Sequence, residues 1–294
     1  MSIAKNASAV TLPEAMKPYP SILEFLIKAF PGISRDTWAQ RIRDGKVLDD
    51  NGNPITVDTP YVCAKRLFYF REVEIEPVIP FPETILFQND ELLVADKPHF
   101  LPVIPGGRFV NECLLNRLRA RTEIAGLAPL HRIDRETAGI VIFSVNRKTR
   151  GLYHDLFAQG NITKTYHAIA EMTQPPQEDR WVVQNRIMRG EPRFRMKTVG
   201  GVVNAESHIQ LLRADGNRGR FQLNPVTGKT HQLRVHMSSL GFPIINDRLY
   251  PDLLPEQNDD FDQPLQLLAK QIAFQDPVSG KAVEFCSGQV LPED

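Results

Sequence analysis

Three prolines within six residues divide this chain of 294 residues. They are Pro77, Pro80 and Pro82, in the segment PVIPFP. Proline fixes φ and lacks a backbone N–H, so this segment cannot continue a helix or a central strand. The chain is also longer than one domain usually is. We therefore place a linker at 77–83, between a small N-terminal domain and a larger C-terminal one.

The part before the linker contains start signals for two helices, followed by short strand-like segments. Ser21 with Glu24 three residues later forms a capping-box pattern, and Ser34 is the expected N-cap of the second helix. We expect a compact α+β domain at 21–76, preceded by an irregular, proline-containing arm at 1–20.

Beyond the linker, short apolar runs follow one another without regular alternation with helices. Strands are predicted at 85–87, 92–95, 139–143, 164–170 and 221–223, and helices at 111–121, 149–158 and 229–240. This order favours an α+β fold over a doubly wound α/β fold. We assign one domain to 84–294, with an acidic, turn-rich loop at 251–264 on its surface.

The charges of the chain balance, with 35 Lys and Arg against 35 Asp and Glu. This argues against a protein that coats nucleic acid or anionic membrane through general positive charge, although a local basic surface can coexist with acidic surface elsewhere. Hydrophobic residues make up 42% and charged residues 24% of the chain, which is typical of a globular protein and excludes general disorder.

The cysteines and the apolar runs indicate a cellular location. Cys63, Cys113 and Cys286 are widely spaced and odd in number, which favours thiols in a reducing compartment over a disulfide framework. The N-terminus lacks the apolar region of a signal peptide, and no apolar run approaches the roughly 20 residues that span a bilayer. We expect a soluble cytoplasmic protein.

The densest polar cluster is HRIDRETAG, in which Asp134 is flanked by His131, Arg132 and Arg135. Nearby guanidinium groups favour the charged form of a carboxylate. A carboxylate held in that form suits a nucleophile or a base better than a proton donor. The alternative interpretation is a solvated turn with a surface ion pair.

A second cluster, NPVTGKTHQLRVHM, runs from a strand into the last predicted helix. Arg234 follows His231 by three residues and Thr230 by four, and we expect the three to share a helix face. A phosphate-binding loop would need a glycine where Leu223 stands, which excludes that motif.

Metal binding is not expected from the spacing of the possible ligands. His231 and His236 are five residues apart and lie on different faces of a helix. His131 and Asp134 have no further ligands spaced to complete a coordination shell. We therefore predict no metal.

The third cluster mixes cations with an aromatic residue and neighbouring glycines. Its members are Arg186, Arg189, Arg193, Phe194, Arg195 and Lys197. This composition suits a mobile loop that grips a phosphate backbone. A solvated hairpin is the alternative.

Taken in order, these clusters resemble the RluA-type family of pseudouridine synthases. HRIDRETAG is similar to the family's HRLDRxTSG, KTYHAIA to its K-x-Y-x-A strand, and TGKTHQLRVHM to TGRTHQIRVHM. GFPIINDRLY resembles GxPIxGDxxY, LLAKQIAFQDPVSGK resembles LHAxxLxFxHPxTGK, and DELLVADKPHFLPVIPGG resembles the opening strands with their KPxGxPVHP turn. The similarity extends from about Thr84 to Pro292. The domain at 21–76 more loosely resembles the αL-type RNA-binding domain.

The resemblance implies an isomerase with a mixed, largely antiparallel sheet and no metal or organic cofactor. A uridine already in RNA would be detached at nitrogen 1, turned, and rejoined through carbon 5. Asp134 matches the catalytic aspartate, Arg234 its arginine partner, and Tyr166 the aromatic residue that stacks on the base. Because a stacked nucleotide is out of reach, the base is flipped out, and Arg132 enters the vacated space.

The remaining expected site residues bind substrate or support the site. His131 and Thr137 support the loop, and Leu268 lines the pocket. The other residues that we assign to substrate binding are Arg135, Lys229, Thr230, His231, Arg193 and Arg195. Departures from the family pattern leave the catalytic residues in place; they are Lys229, Ala138, Asn246, Leu268 and Asp276.

The expected partner is RNA, with ribosomal RNA favoured over transfer RNA because an extra N-terminal domain suits a large folded substrate. We expect a monomer with its basic residues on one side and the acidic segment 251–264 on another. Two alternatives stay open: a non-catalytic RNA-binding or ribosome-assembly protein on the same scaffold, and a small-molecule hydrolase that uses Asp134. Also open are the target uridines, whether Asp134 acts as nucleophile or base, and whether the N-terminal domain binds RNA itself.

Overall fold

A computed structural model describes residues 2–5, 7–14, 19–174 and 176–291. These separate into two compact units. The first comprises Met1–Pro77 with Pro105–Asn111, and the second comprises Val78–Ile104 with Glu112–Asp294. Residues 1, 6 and 15–18 of the expected arm, and residues 175 and 292–294 of the expected C-terminal domain, lie outside the described part.

The first unit consists of two helices and small antiparallel sheets. The helices are α1 (Ile22–Ala29) and α2 (Arg35–Arg43), and the strands are β1 (Ser2–Ile3), β2 (Ser8–Thr11), β3 (Val47–Leu48), β4 (Arg66–Tyr69) and β5 (Glu72–Val73). The sheet orders are β2-β4-β3 and β1-β5. The prediction of an irregular arm is therefore partly wrong, because β1 and β2 lie in it and pair with strands more than 50 residues later in the chain.

Both helix starts in this unit are confirmed. The Ser21 hydroxyl accepts a hydrogen bond from the backbone N–H of Glu24 at 3.3 Å, and Ser34 accepts one from Thr37 at 3.1 Å. These caps satisfy backbone groups that a helix leaves free in its first turn. The helices then pack their apolar faces into one core with β3 and β4, centred on the fully buried Trp38.

The second unit is built on one large sheet. Its strands are β6 (Thr84–Gln88), β7 (Leu92–Lys97), β8 (Ala128–Pro129), β9 (Ala138–Ser144), β10 (Ile162–Glu171), β11 (Arg180–Arg189), β12 (Met196–Val199), β13 (Ala205–Asp215), β14 (Arg218–Pro225), β15 (Leu267–Gln275) and β16 (Ala282–Cys286). Its helices are α3 (Leu114–Thr122), α4 (Arg150–Gln159) and α5 (Gln232–Ser239). The main strand order is β12-β11-β13-β14-β10-β15-β9-β7-β6, with β16 paired to β15 and β8 to β9.

Of the strand pairs in the described residues, β9 with β15 is parallel and the others are antiparallel. The expected α+β class with a mixed, largely antiparallel sheet is thus confirmed. The structure contains no helix, within the described ranges, that is long and apolar enough to cross a membrane.

The parallel contact between β9 and β15 depends on Gly139. Its φ is +110°, and a Cβ at this position would lie 2.7 Å from the backbone nitrogen of Ala269 and closer still to the Ala269 carbonyl oxygen. A side chain does not fit this approach, and φ in this region favours glycine. Gly139 therefore lets the chain leave the 131–137 loop and enter the centre of the sheet.

The last helix begins later than expected. α5 begins at Gln232 rather than at Lys229, because His231 has the left-handed φ of +53°. The side-chain oxygen of Gln232 accepts the Lys229 N–H at 3.0 Å and the Thr227 hydroxyl at 2.7 Å, which closes the preceding turn. The prediction that Thr230, His231 and Arg234 share a helix face is therefore wrong.

Part of the segment 77–83, the expected linker, is packed in the second unit. Ile79 is buried. Its N–H donates to the Glu112 carboxylate at 2.9 Å, and its carbonyl accepts from Arg117 at 2.6 Å. Its prolines exclude regular structure, but the backbone groups of Ile79 still have side-chain partners.

Candidate active site

The 131–137 loop, which we call the acidic loop after Asp134 and Glu136, is held by Lys97, the last residue of β7, and by His99, two residues later. The buried Lys97 donates through Nζ to the carbonyls of Pro98 at 2.9 Å and Arg135 at 3.0 Å. His99 Nδ1 lies 2.6 Å from the carbonyl of Glu136. Burial lowers the pKa of Lys97 to about 7 and that of His99 to about 4. His99 is thus neutral at pH 7 and donates its Nδ1 proton to the loop.

His131 and Thr137 lie at the two ends of the acidic loop. The Ile142 N–H donates to His131 Nε2 at 3.1 Å, and the His131 ring stacks on Phe157 at 4.8 Å. Burial lowers the pKa of His131 to about 3, so its Nε2 remains an acceptor. Thr137 is buried. These positions suit the supporting roles predicted for both residues.

Asp134 and Arg234 are 100 positions apart in the sequence and meet in the fold. Nη1 of Arg234 lies 3.4 Å from Oδ2 of Asp134. The Arg234 side chain is 2% exposed, whereas that of Asp134 is 24% exposed. The carboxylate thus faces solvent and a possible substrate, while its cationic partner is enclosed.

Asp247, which sequence reasoning did not single out, fixes Arg234. Its two oxygens accept from Nε and Nη2 of Arg234 at 2.8 and 2.7 Å, a bidentate pair that leaves Nη1 for Asp134. Asp247 also accepts the N–H groups of Leu249 and Tyr250. The preceding Asn246 has φ +63°, where the family's pattern has glycine. The signal was the aspartate of GFPIINDRLY, which matches the aspartate of the family's GxPIxGDxxY.

A second carboxylate that the sequence analysis missed is Glu136. It lies 2.9 Å from Arg135 and 4.0 Å from Arg234. Burial opposes its ionisation, but the two guanidinium groups outweigh burial and hold the pKa of Glu136 below its usual value. The site therefore combines fixed cations with several carboxylates rather than a single pair.

Tyr166 lies on β10 and packs against the core cluster that contains Leu267. Burial, together with the nearby Asp134 charge, raises the pKa of Tyr166, so its phenol is neutral at pH 7. Leu268 pairs with His167 and packs with Ile169, so it faces the opposite side of the sheet. Leu268, the residue predicted to line the pocket, therefore does not share a face with Tyr166, whereas Leu267 does.

The TGKTHQ residues take different positions around Asp134. His231 Nε2 is 4.0 Å from Asp134 Oδ1, because the left-handed turn at His231 brings its ring towards the acidic loop. Lys229 and Thr230 are exposed. Of this group, His231 is therefore the residue that the fold places beside the carboxylate.

The two arginines of the acidic loop differ. Arg132 is exposed and has no ion-pair partner among the described residues. Arg135 makes a bidentate pair with Asp259 at 2.8 and 2.9 Å. Since Asp259 belongs to 251–264, that acidic segment reaches the site, and the expected separation of a basic side from an acidic side is wrong.

The third cluster forms a hairpin. Arg186 and Arg189 lie on β11 and pair with β12, so the prediction of a mobile loop covers at most the tip, 190–195. At that tip Arg193 is exposed and Phe194 is 57% exposed. Arg195 instead donates to the Pro251 carbonyl at 2.8 Å. The tip thus offers a cation and an aromatic ring to solvent.

No group of three or more His, Cys, Asp or Glu side chains within the described ranges is arranged to hold a metal ion. The site consists of protein side chains whose chemistry is that of a carboxylate, a guanidinium group and a phenol.

Comparison with known proteins identifies the family. Residues 91–239, half of the chain, match the RNA pseudouridylate synthase family. An uncharacterised RNA pseudouridine synthase of Synechocystis is 26% identical over 78% of this chain and 79% of its own length. The dual-specificity RNA pseudouridine synthase RluA of Haemophilus influenzae is 29% identical over 71% of this chain and 94% of its own. Other relatives are longer: the match covers 41% of the human pseudouridylate synthase RPUSD2.

A solved structure agrees with these matches. The human RNA pseudouridylate synthase domain containing 1 superposes with a TM-score of 0.59 at 25% identity, over 73% of this chain and 86% of that one. The matched sequence segment contains the acidic loop, Tyr166 and Arg234. The chain therefore belongs to the RNA pseudouridylate synthase family, of the RluA type, whose members are isomerases.

Proposed function

We propose that this protein converts specific uridines in RNA to pseudouridine, with Asp134 as its catalytic carboxylate. One observation carries the proposal: Arg234, which like Asp134 belongs to the matched segment, lies 3.4 Å from Asp134 and is held there by its bidentate pair with Asp247. A carboxylate that is partly exposed and oriented by an enclosed guanidinium is suited to act on a bound substrate.

The proposed reaction is an isomerisation and needs no second substrate. The bond from nitrogen 1 of uracil to C1′ of the ribose breaks, and a bond from carbon 5 to C1′ forms. Carbon 5 loses its proton and nitrogen 1 gains one. Asp134 either adds to C1′ as a nucleophile or removes a ribose proton as a base. Both roles require an ionised carboxylate in position at the sugar.

The surrounding residues suit a base that has left its stack. The neutral phenol of Tyr166 offers an aromatic face beside Asp134, and base–aromatic stacking stabilises a flipped nucleotide. Arg132 is exposed and available to fill the space that the base leaves. Flipping costs least in single-stranded or loop RNA, so we propose uridines in such regions as targets.

Ribosomal RNA is our proposed substrate, in preference to transfer RNA. We propose the first unit as an additional RNA-binding domain, which suits a large folded RNA, and in the second unit the hairpin tip exposes Arg193 and Phe194 to RNA. We further propose that the protein is a cytoplasmic monomer. The exposed thiols of Cys63 and Cys286 suit a reducing compartment.

The test uses RNA labelled with tritium at carbon 5 of uridine, which releases tritium when that carbon becomes bonded to the sugar. Asp134→Asn is expected to abolish release while the fold is retained. Asp155→Asn, an exposed aspartate of α4, is the matched control and should act like the wild type. Unchanged turnover by Asp134→Asn contradicts the catalytic role.

The substrate is tested by mapping pseudouridine in total RNA from cells with and without the protein. A site that disappears on deletion, and returns with the wild type but not with Asp134→Asn, identifies the target. If that site lies in transfer RNA, the ribosomal proposal is wrong. If no site changes although the purified protein binds RNA, the non-catalytic alternative is correct.

A further inference from the structure

Tyr250 connects the β11–β12 hairpin to the catalytic site. Its side chain is buried, at 6% exposure. Its hydroxyl oxygen accepts the backbone N–H of Met196, the first residue of β12, at 2.7 Å. The same hydroxyl lies 3.0 Å from Nδ1 of His231. One buried side chain thus contacts both the hairpin and the histidine that faces Asp134.

The Tyr250 ring also lies against two guanidinium groups. Arg195 of the hairpin is 5.2 Å from the ring centroid, and Arg234 is 5.5 Å from it. Cations at these distances are attracted to the electron-rich face of an aromatic ring. The ring therefore has little freedom, and its hydroxyl is held in a defined place.

The hydrogen bonds of this hydroxyl determine where its proton points. The oxygen already accepts from Met196, and no acceptor other than His231 Nδ1 lies within hydrogen-bond distance among the described residues. Donation of the hydroxyl proton to Nδ1 is therefore the arrangement in which the buried hydroxyl finds an acceptor. Because burial lowers the pKa of His231, the ring is neutral, and in this arrangement its own proton is on Nε2.

We propose that Tyr250 is a positioning residue that holds His231 as the Nε2–H tautomer and so directs an N–H group at Asp134. Nε2 is 4.0 Å from Asp134 Oδ1, so a shift of roughly 1 Å forms a hydrogen bond to the carboxylate. An oriented donor at this place stabilises the charged carboxylate and fixes its direction. The inference rests on the proposed function and adds to it a link between the hairpin and the reacting group.

The first test replaces only the hydroxyl. Tyr250→Phe keeps the ring between the two arginines and removes the bond to His231. We expect kcat for tritium release to fall about 10-fold to 100-fold, with KM within about twofold, because a displaced catalytic group costs rate rather than affinity. Tyr153→Phe is the matched control: its buried hydroxyl donates to Asp276 at 2.8 Å in another part of the unit, and its loss should leave kcat unchanged.

The second test does not depend on activity. In protein labelled with ¹⁵N at histidine, the ring nitrogens of His231, assigned with His231→Gln, should show a protonated Nε2 and a hydrogen-bonded, unprotonated Nδ1. In Tyr250→Phe the Nδ1 signal should move towards that of a nitrogen without a hydrogen bond. A wild-type His231 protonated on Nδ1, or an unchanged kcat in Tyr250→Phe, overturns the inference. If the wild type forms no pseudouridine, the proposed function fails. The nitrogen spectrum alone then shows whether Tyr250 holds His231 as the Nε2–H tautomer.

Discussion

The acidic loop and the hairpin tip are both rich in arginine, but their charges are arranged differently. Around the acidic loop, Arg234 and Arg135 are each engaged by carboxylates at 2.7 to 2.9 Å. At the hairpin tip, Arg193 is exposed and has no ion-pair partner among the described residues. Arg234 and Arg135 are thus fixed in place, whereas Arg193, like Arg132 of the acidic loop, is presented to solvent.

This difference separates two uses of positive charge. A cation enclosed among carboxylates keeps a reacting group in position and is little affected by salt. An exposed cation can neutralise a phosphate and contributes an affinity that falls as salt rises. A cluster of arginines in a sequence does not distinguish these uses, since the partners lie elsewhere in the chain. The following experiments test the distinction.

The largest effect is expected from Asp247→Asn. This change removes the charge of the bidentate partner and leaves Arg234 only its longer contacts to Asp134 and Glu136, at 3.4 and 4.0 Å. We expect kcat/KM for pseudouridine formation to fall roughly 100-fold to 1000-fold, because Arg234 no longer holds Asp134 in position.

Two controls accompany this variant. Asp252→Asn changes an exposed aspartate and should have no effect on kcat/KM. Circular dichroism of Asp247→Asn must show a folded protein, since a loss of fold would reduce activity trivially. Near-normal kcat/KM in folded Asp247→Asn would mean that Arg234 does not need a fixed partner.

A medium effect, on stability in acid, is expected from His99, the neutral histidine that contacts the acidic loop at the Glu136 carbonyl. Burial lowers the pKa of His99 from 6.5 to about 4, so below pH 6.5 the unfolded chain binds a proton that the folded protein excludes. The free energy of unfolding therefore falls as pH falls from 6.5 to about 4, by up to about 1.4 kcal/mol per pH unit for this group. His131 and His236 add to the fall in the same direction.

His99→Asn should remove one such contribution while still donating to the Glu136 carbonyl. Denaturant unfolding between pH 7 and 4.5 measures it: the stability of the variant should fall less steeply with acid than that of the wild type. The m-value, which should not change, verifies that the same unfolding transition is compared. Equal slopes for the two proteins would show that His99 is not held neutral.

The smallest effect is expected from Arg193→Ala. Loss of one phosphate contact should weaken RNA binding about threefold and reduce the slope of log K against log salt by about one. Arg213→Ala, at the exposed end of another strand pair, is the control and should leave both quantities unchanged. If Arg193→Ala lost activity but kept the salt dependence of RNA binding, Arg193 would instead act like the fixed cations Arg234 and Arg135.

The features that could be predicted from the sequence are those that depend on neighbouring residues in the chain. The caps at Ser21 and Ser34 were predictable because each joins groups three residues apart. The α+β class was predictable from the succession of apolar runs. The candidates Asp134, Tyr166 and Arg234 each lie in a short motif of consecutive residues that resembles a motif of the family.

Contacts between residues far apart in the chain could be known only from the tertiary structure. Asp247 fixes Arg234 from 13 residues away, and Asp259 reaches Arg135 from 124 residues away. Whether Leu267 or Leu268 faces Tyr166 depends on strand register, since a shift of one residue reverses the faces. Register, ion pairing and burial all depend on packing between distant segments, and no local pattern encodes them.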